Sequence, residues 1–186
     1  MIKVHDNLFD KKWLDDLTYD LLNNTPYYPN NIANRKSFPN NERGTHILLG
    51  SQIYLKRGLN NILTRGDNHL IGRLQDAFNY FTSEFKQIRE LLKILINCQF
   101  PHMDGSLHTD NTNNSSNQTT YVLMLASDYS EKLEGGGFYH KPSDQLIDFK
   151  MGRLVEFNAA EIHQGLSFKN KSVIRFSVAW TCNNLN

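Results

Sequence analysis

His108 and Asp110 stand two residues apart in the segment Ser106-Leu107-His108-Thr109-Asp110. On an extended strand that spacing sends both side chains to the same face. An imidazole and a carboxylate converging on one point make most of a facial metal triad. His163 follows Phe157-Asn158-Ala159-Ala160-Glu161 near the start of a later strand-like run, where it could complete the set. A pair of imidazoles and one carboxylate on one face of an octahedron leave the opposite positions open, an arrangement suited to non-haem Fe(II) oxygenases. Each residue also has a bland reading: a His-x-Asp in a surface turn, and a lone structural histidine.

Arg175 lies inside the apolar run Val173-Ile174-Arg175-Phe176-Ser177-Val178. A charge buried on such a strand is costly unless paired. Arg175 either faces solvent from an exposed sheet face or grips a ligand carboxylate with its planar fork. Ser177, on the same face, could add a hydroxyl. Gly135-Gly136-Gly137, ahead of Phe138-Tyr139, marks a turn or a close backbone approach.

These groups need a scaffold. Leu14, Leu17 and Leu21 form a helical stripe that Asp10 can cap, and Pro26 lies beyond its end. Leu70, Leu74, Ala77, Phe78, Phe81 and Phe85 form a second stripe starting near Asp67. Tyr27 to Arg43, rich in Asn and Pro, has no period and reads as a long loop of the kind that often serves as a lid. His46 to Leu55 reads as a strand pair or one bent strand. Short apolar runs then recur at Ile94–Phe100, Leu107–Asp110, Thr119–Ala126, Gly137–His140, Gln145–Phe149, Arg153–Phe157, Ile162–Phe168 and Ser172–Thr181. Many short strands with turn residues between them argue for a sandwich or barrel.

The order His108-x-Asp110, Gly136-Gly137, Phe157, His163 and Arg175-x-Ser177 resembles the Fe(II)/2-oxoglutarate-dependent dioxygenases. Within them it is most similar to the prolyl 4-hydroxylase-like branch, including its bacterial and phage members. Leu125 to Gly137, LASDYSEKLEGGG, resembles that branch's strand, acidic-aromatic loop and Gly-Gly; the likeness runs from about Ile94 to Thr181. It implies a mostly β protein with flanking helices, a double-stranded β-helix (jelly roll) whose N-terminal helices pack on one sheet. Residues 1–186 are then a single domain, with 1–92 as helical support plus first strands and a long loop, and 93–182 as the jelly-roll catalytic core.

The resemblance further implies that His108, Asp110 and His163 bind Fe(II), and that Arg175, aided by Ser177, holds the distal carboxylate of 2-oxoglutarate. O2 is the second cosubstrate and ascorbate a candidate accessory reductant. The implied reaction is a hydroxylation coupled to oxidative decarboxylation to succinate and CO2. Trp180 matches a position where the branch carries a tryptophan near the site, and a core aromatic is its other reading. Two departures bear on the cosubstrate pocket. Where the branch often has a tyrosine, nine residues before the first histidine, this chain has Gln99, whose amide could donate a similar hydrogen bond. Met124 replaces a second tyrosine. Thr120, Val122 and Met124 share the inward face of their strand, and Tyr121 points outward.

A prolyl side chain in a protein or peptide is the leading substrate class implied, with small molecules also open because fold does not fix function. The loops Tyr27–Arg43 and Asn111–Gln118 are the candidate substrate surfaces, with Tyr28, Arg35, Lys36 and Arg43 as contacts. Net charge is +1 and no stretch is dense in Lys and Arg, so no nucleic-acid partner is expected. No apolar run reaches the ~20 residues that span a bilayer, and the N-terminus lacks a signal-like order, which reads as cytoplasmic. Cys98 and Cys182 read as buried thiols. The sequence sets no oligomeric state. Two other readings stand beside the dioxygenase: a cupin-like or hydrolytic site using a different metal, and a jelly-roll binding module that has lost catalysis.

Overall fold

Two opposed sheets, one layered with helices, organise the chain in the computed structural model, which describes residues 1–32, 47–56, 62–111, 117–130 and 132–185. The larger sheet has the order β1-β9-β6-β11-β5-β3-β2, with β4 paired to β3. Its strands are β1 (Lys3–His5), β2 (Tyr28–Ile32), β3 (Ile47–Lys56), β4 (Ile62–Thr64), β5 (Arg89–Gln99), β6 (Gln118–Ala126), β9 (Leu154–Asn158) and β11 (Arg175–Asn184). The smaller sheet has the order β10-β7-β8, built from β7 (Phe138–His140), β8 (Gln145–Ile147) and β10 (His163–Gly165). All pairings in both sheets are antiparallel.

Two helices cover the outer face of the larger sheet: α1 (Lys11–Asn23) and α2 (Asn68–Glu84). Asp10 caps α1 by accepting from the Trp13 N–H, and Asp67 caps α2 by accepting from that of His69. Leu14, Leu17 and Leu21 on α1, and Leu74, Ala77, Phe78 and Phe81 on α2, are buried against the sheet. From the sheet side come Ile94, Ile96 and Cys98 of β5, Tyr121, Leu123 and Leu125 of β6, and Phe176, Val178 and Trp180 of β11. The period-two alternation of each strand sends the other residues inward between the sheets. There Val122, Met124, Val155, Phe157 and Ala179 meet Phe138 and Ile147 of the smaller sheet.

The strands differ from the sequence reading at several places. The predicted loop over Tyr27–Arg43 begins with β2, and its remainder, with Arg35, Lys36 and Arg43, lies outside the described residues. β5 starts at Arg89, because its polar first residues are partnered across strands: Glu90 with Lys56 and Asn183, and Arg89 with Asn184. Leu107–Asp110 forms no full strand; it meets β10 through one bridge, His108 to His163. Cys98 and Cys182 are free and buried, and burial pushes their thiols up to about 11 and about 12. Among the described residues, no helix is long and apolar enough to cross a membrane.

β1 is tied to the sheet by charge. Glu156 of β9 lies 2.9 Å from Lys3 Nζ, 3.0 Å from His5 Nε2 and 3.2 Å from Gln87 Nε2. Burial raises the Glu156 carboxyl, but hydrogen bonds from Lys3, His5 and Gln87 outweigh it and leave it below the usual 4.5. A carboxyl depressed by folding stabilises the fold above its unfolded pKa, and that contribution is lost as pH falls through the folded value. Glu156→Gln is therefore expected to cost about 1 kcal/mol at neutral pH, with the gap to wild type closing once pH drops below about 4.5. Urea unfolding across pH checks this. A gap independent of pH would assign the loss to packing instead of charge.

Candidate metal centre

The smaller sheet brings together residues that lie far apart in sequence. His108 N–H donates to the His163 carbonyl, and His163 N–H donates to that of His108, both at 3.0 Å. The Asp110 and Asn111 N–H groups both donate to the Ala159 carbonyl, at 2.8 and 3.0 Å. The His-x-Asp segment is thus pinned to the chain entering β10, and its side chains converge. His108 Nε2 lies 3.6 Å from Asp110 Oδ1, and His163 Nε2 lies 3.5 Å from Asp110 Oδ2. Potential ligand atoms of all three residues fall within 4.8 Å of one another.

Each imidazole is oriented from behind. His108 Nδ1 donates to the Ser106 carbonyl at 2.8 Å, and His163 Nδ1 donates to the Glu161 carbonyl at 3.0 Å. A carbonyl only accepts, so the proton sits on Nδ1 and the lone pair on Nε2, aimed at the triad centre. His163 is fully enclosed, its ring 4.4 Å from that of Phe157 and stacked on Phe138 at 5.3 Å. Burial pushes it down to about 4, against the opposing pull of Asp110, so it is neutral at neutral pH. Burial raises the Asp110 carboxyl, but the charges of His163, Lys93 and His108 outweigh it and hold it below its ordinary value. The centre therefore offers two imidazole nitrogens and one buried negative oxygen donor, a set suited to a divalent transition metal.

Thr120, expected to line the cosubstrate pocket, is not among the cavity's lining residues. Its hydroxyl helps lower the Asp110 carboxyl and lies 3.5 Å from Thr181 Oγ1. Groups that orient a ligating carboxylate tune metal affinity by roughly 10- to 100-fold. Thr120→Val, which keeps the shape, is expected to weaken Fe(II) binding by about tenfold with little change in fold stability. Anaerobic metal titration checks this, and unchanged affinity would confine Thr120 to packing.

Arg175 is 1% exposed, on the inward face of β11 with Ser177 and Ala179. Its Nε donates to the Gly136 carbonyl at 2.9 Å, and Nη1 donates to Gln99 Oε1 at 2.6 Å. Nη2 is buried with no hydrogen-bond partner among the described residues. Burial pushes the guanidinium down to about 10, with the Asp104 charge pulling it back up, so it stays charged at neutral pH. Gly136 must be glycine for this. Its φ is +73°, and a Cβ there would lie 2.0 Å from the Phe168 ring.

The triad and Arg175 line one cavity of about 320 Å³, together with Asn97, Gln99 and Ser177. A buried cation with one nitrogen unpartnered, lining the same space as a candidate set of metal ligands, fits a small acid that chelates at one end and carries a carboxylate at the other. Ser177 accepts weakly from Asn97 Nδ2 at 3.5 Å, which leaves its own hydroxyl proton free to donate.

Two other expected pocket residues are placed elsewhere. Trp180 is fully buried on the helix side of β11, where Nε1 donates to the Leu74 carbonyl. It is an odd number of residues from Arg175, so alternation puts the two on opposite faces. Met124 does face inward, but it is sealed in the apolar layer between the sheets with Phe138 and Ile147. Tyr121 points away from the cavity as expected, and is buried beside Phe81 of α2. Asn97, Leu95 and Leu48 line the cavity without having been anticipated. Leu95 and Asn97 share the face of Gln99 by alternation, which the sequence does carry. Leu48 comes from β3 and has no comparable signal.

No family model matches the chain, and no curated protein matches it in sequence. Solved structures do, and the fold they define is the double-stranded β-helix of 2-oxoglutarate/Fe(II) oxygenases. A 2OG-Fe(II) oxygenase family oxidoreductase from Burkholderia pseudomallei aligns at TM-score 0.70 and 16% identity, over 100% of this chain and 86% of its own. A Trichoplax adhaerens prolyl hydroxylase, in complex with a hypoxia inducible factor peptide fragment, aligns at 0.67 and 13% identity, over 98% of this chain and 83% of its own. A prolyl-4-hydroxylase from Pseudomonas putida aligns at 0.59 and 12% identity, over 100% and 93%.

Proposed function

We propose that this chain is an Fe(II)- and 2-oxoglutarate-dependent oxygenase that hydroxylates its substrate, with a prolyl side chain of a protein or peptide as the first substrate class to test. One observation carries the reading: His108, Asp110, His163 and the half-satisfied guanidinium of Arg175 line the same cavity. A different-metal hydrolase or cupin-like site would leave the buried charge of Arg175 without a purpose. The prolyl class rests on the sequence resemblance and on the prolyl hydroxylases among the fold neighbours. Small-molecule substrates are the alternative within the same chemistry.

When bound, iron supplies a chelation point for the 2-oxo acid, activation of O2 coupled to decarboxylation to succinate and CO2, and the oxidising power to hydroxylate a C–H bond. The chain supplies position. His108 and His163 present Nε2 lone pairs fixed by carbonyls behind them. Asp110 brings the negative charge that selects a cation. Arg175 anchors the distal carboxylate, with the Ser177 hydroxyl beside it, and so fixes which end of the acid faces the triad. Phe138, Val122 and Leu95 give the cavity apolar walls, which limit water and strengthen every charge interaction inside.

The test is an anaerobic titration of the protein with Fe(II) and 2-oxoglutarate, followed by admission of O2. A visible charge-transfer band that decays with formation of succinate is expected. Proline-containing peptides are then screened by mass spectrometry for gain of one oxygen atom. Metal-loaded protein that shows no band and forms no succinate would overturn the reading.

A further inference from the structure

We propose that Gln99 is a positioning residue that sets the pocket's affinity for a distal carboxylate by holding Arg175, and that it makes no contact with the cosubstrate. This rests on the 2-oxoglutarate reading above and adds to it a residue with a different role from the one its place in the pocket first implies.

The side-chain amide of Gln99 is fully committed to the protein. Gln99 is 4% exposed and sits directly across from Arg175 in the β5–β11 register. Its Oε1 accepts from Arg175 Nη1, and its Nε2 donates to the carbonyls of Met103 at 3.2 Å and Gly165 at 3.1 Å. A primary amide has only two N–H donors, and both point at backbone carbonyls. Turning the amide over would set its NH2 against the guanidinium and its oxygen against both carbonyls. The orientation is therefore dictated by chemistry, and no N–H is left for a ligand.

The surroundings are cut to fit this pair. A Cβ on Gly165 would lie 3.1 Å from Arg175 Nη1 and 3.2 Å from Gln99 Oε1, so the guanidinium and amide pack directly on glycine backbone. A Cβ on Gly105 would lie 3.1 Å from the Gly165 carbonyl that Gln99 holds. With Nε on Gly136 and one Nη1 proton on Gln99, the guanidinium keeps the second Nη1 proton and both Nη2 protons. One proton of Nη1 and one of Nη2 lie side by side along the Nη1–Nη2 edge, and such an edge can take a carboxylate bidentately. A hydroxyl donor at position 99 would add a contact to the ligand. Gln99 instead restrains the group that makes the contact, leaving Arg175 as the dominant anchor of the distal carboxylate.

The experiment uses anaerobic Co(II)-loaded protein and calorimetry with two ligands. 2-Oxoglutarate uses both ends of the cavity; oxalate chelates the metal and has no distal carboxylate. Gln99→Met keeps the volume and removes the acceptor and both donors. Gln99→Glu pairs its own carboxylate with Arg175 and neutralises it. Gln99→Met is expected to weaken 2-oxoglutarate by on the order of tenfold, and Gln99→Glu by more, with oxalate changed less than about twofold in either. Equal losses for both ligands would overturn the proposal, since they mark a general disturbance of the site. So would an unchanged 2-oxoglutarate affinity in Gln99→Met. Wild-type protein that binds oxalate but not 2-oxoglutarate would overturn the cosubstrate reading itself, and with it this role.

Discussion

Asp110→Asn is expected to reduce Fe(II) affinity by more than about a hundredfold, beyond the range seen when only a supporting group is removed, while costing the metal-free protein only a small part of its stability. The first effect is large because the carboxylate is the one negative group of the triad. The second takes its sign from the surroundings: the Asp110 side chain is 9% exposed, yet the charges around it hold the carboxyl below its ordinary value, so the fold favours the charge that the variant loses. Asparagine keeps the shape and the acceptor for Thr120, and removes the charge. Thermal unfolding with and without metal reads both effects. Wild type should gain about 2.7 kcal/mol at a metal concentration one hundred times its Kd, and the variant less than about 0.4 kcal/mol at the same concentration. A variant several degrees less stable without metal would make Asp110 a structural residue first.

The second large effect is confined to stability. Trp180→Ala is expected to cost about 3–5 kcal/mol, the usual range for emptying a buried aromatic site, out of a total of roughly 5–15 kcal/mol for a domain. Trp180 is fully buried, meets Phe81 edge to face at 5.4 Å and donates to the Leu74 carbonyl at 2.9 Å. The ring joins the middle of the larger sheet to α2, so the cavity it leaves cannot collapse without moving a helix. Trp180→Phe keeps most of the packing and removes the hydrogen bond to the Leu74 carbonyl, for a loss of about 1–2 kcal/mol. Urea unfolding measures both. Fe(II) affinity of the folded Trp180→Phe variant should match wild type; a clear loss would return Trp180 to the neighbourhood of the metal.

The three members of the candidate metal centre were legible in the sequence because two of them lie on one short segment and the third carries a distinctive side chain. Arg175 was legible as a charge where an apolar strand should have none. The face of Trp180 was also written in the alternation of β11, and only the resemblance to other proteins argued against it. Gln99 was found at the right place with the wrong partners. What it touches depends on cross-strand register and on the carbonyls of Met103 and Gly165, and no local pattern carries that. β1, β2 and β4 were missed for a simpler reason. Each is short and carries polar, proline or exposed residues, so pairing with a longer neighbour defines it, and no pattern of its own does.

β11 comes last among the strands in the chain, yet it lies at the centre of the larger sheet, between β6 and β5. Until it is synthesised, those two strands have no common neighbour, and each presents an unpaired backbone edge to the cell. On the ribosome the protein therefore cannot close its sheet until β11 has emerged, and its nascent form is the one most exposed to edge-to-edge aggregation. The same strand carries Arg175, so the cavity acquires its buried cation in the step that completes the sheet. A chain grown past Asp110 but short of His163 has the first histidine and the aspartate of the triad but neither the second histidine nor the cation, so no complete site can form before β11 is made.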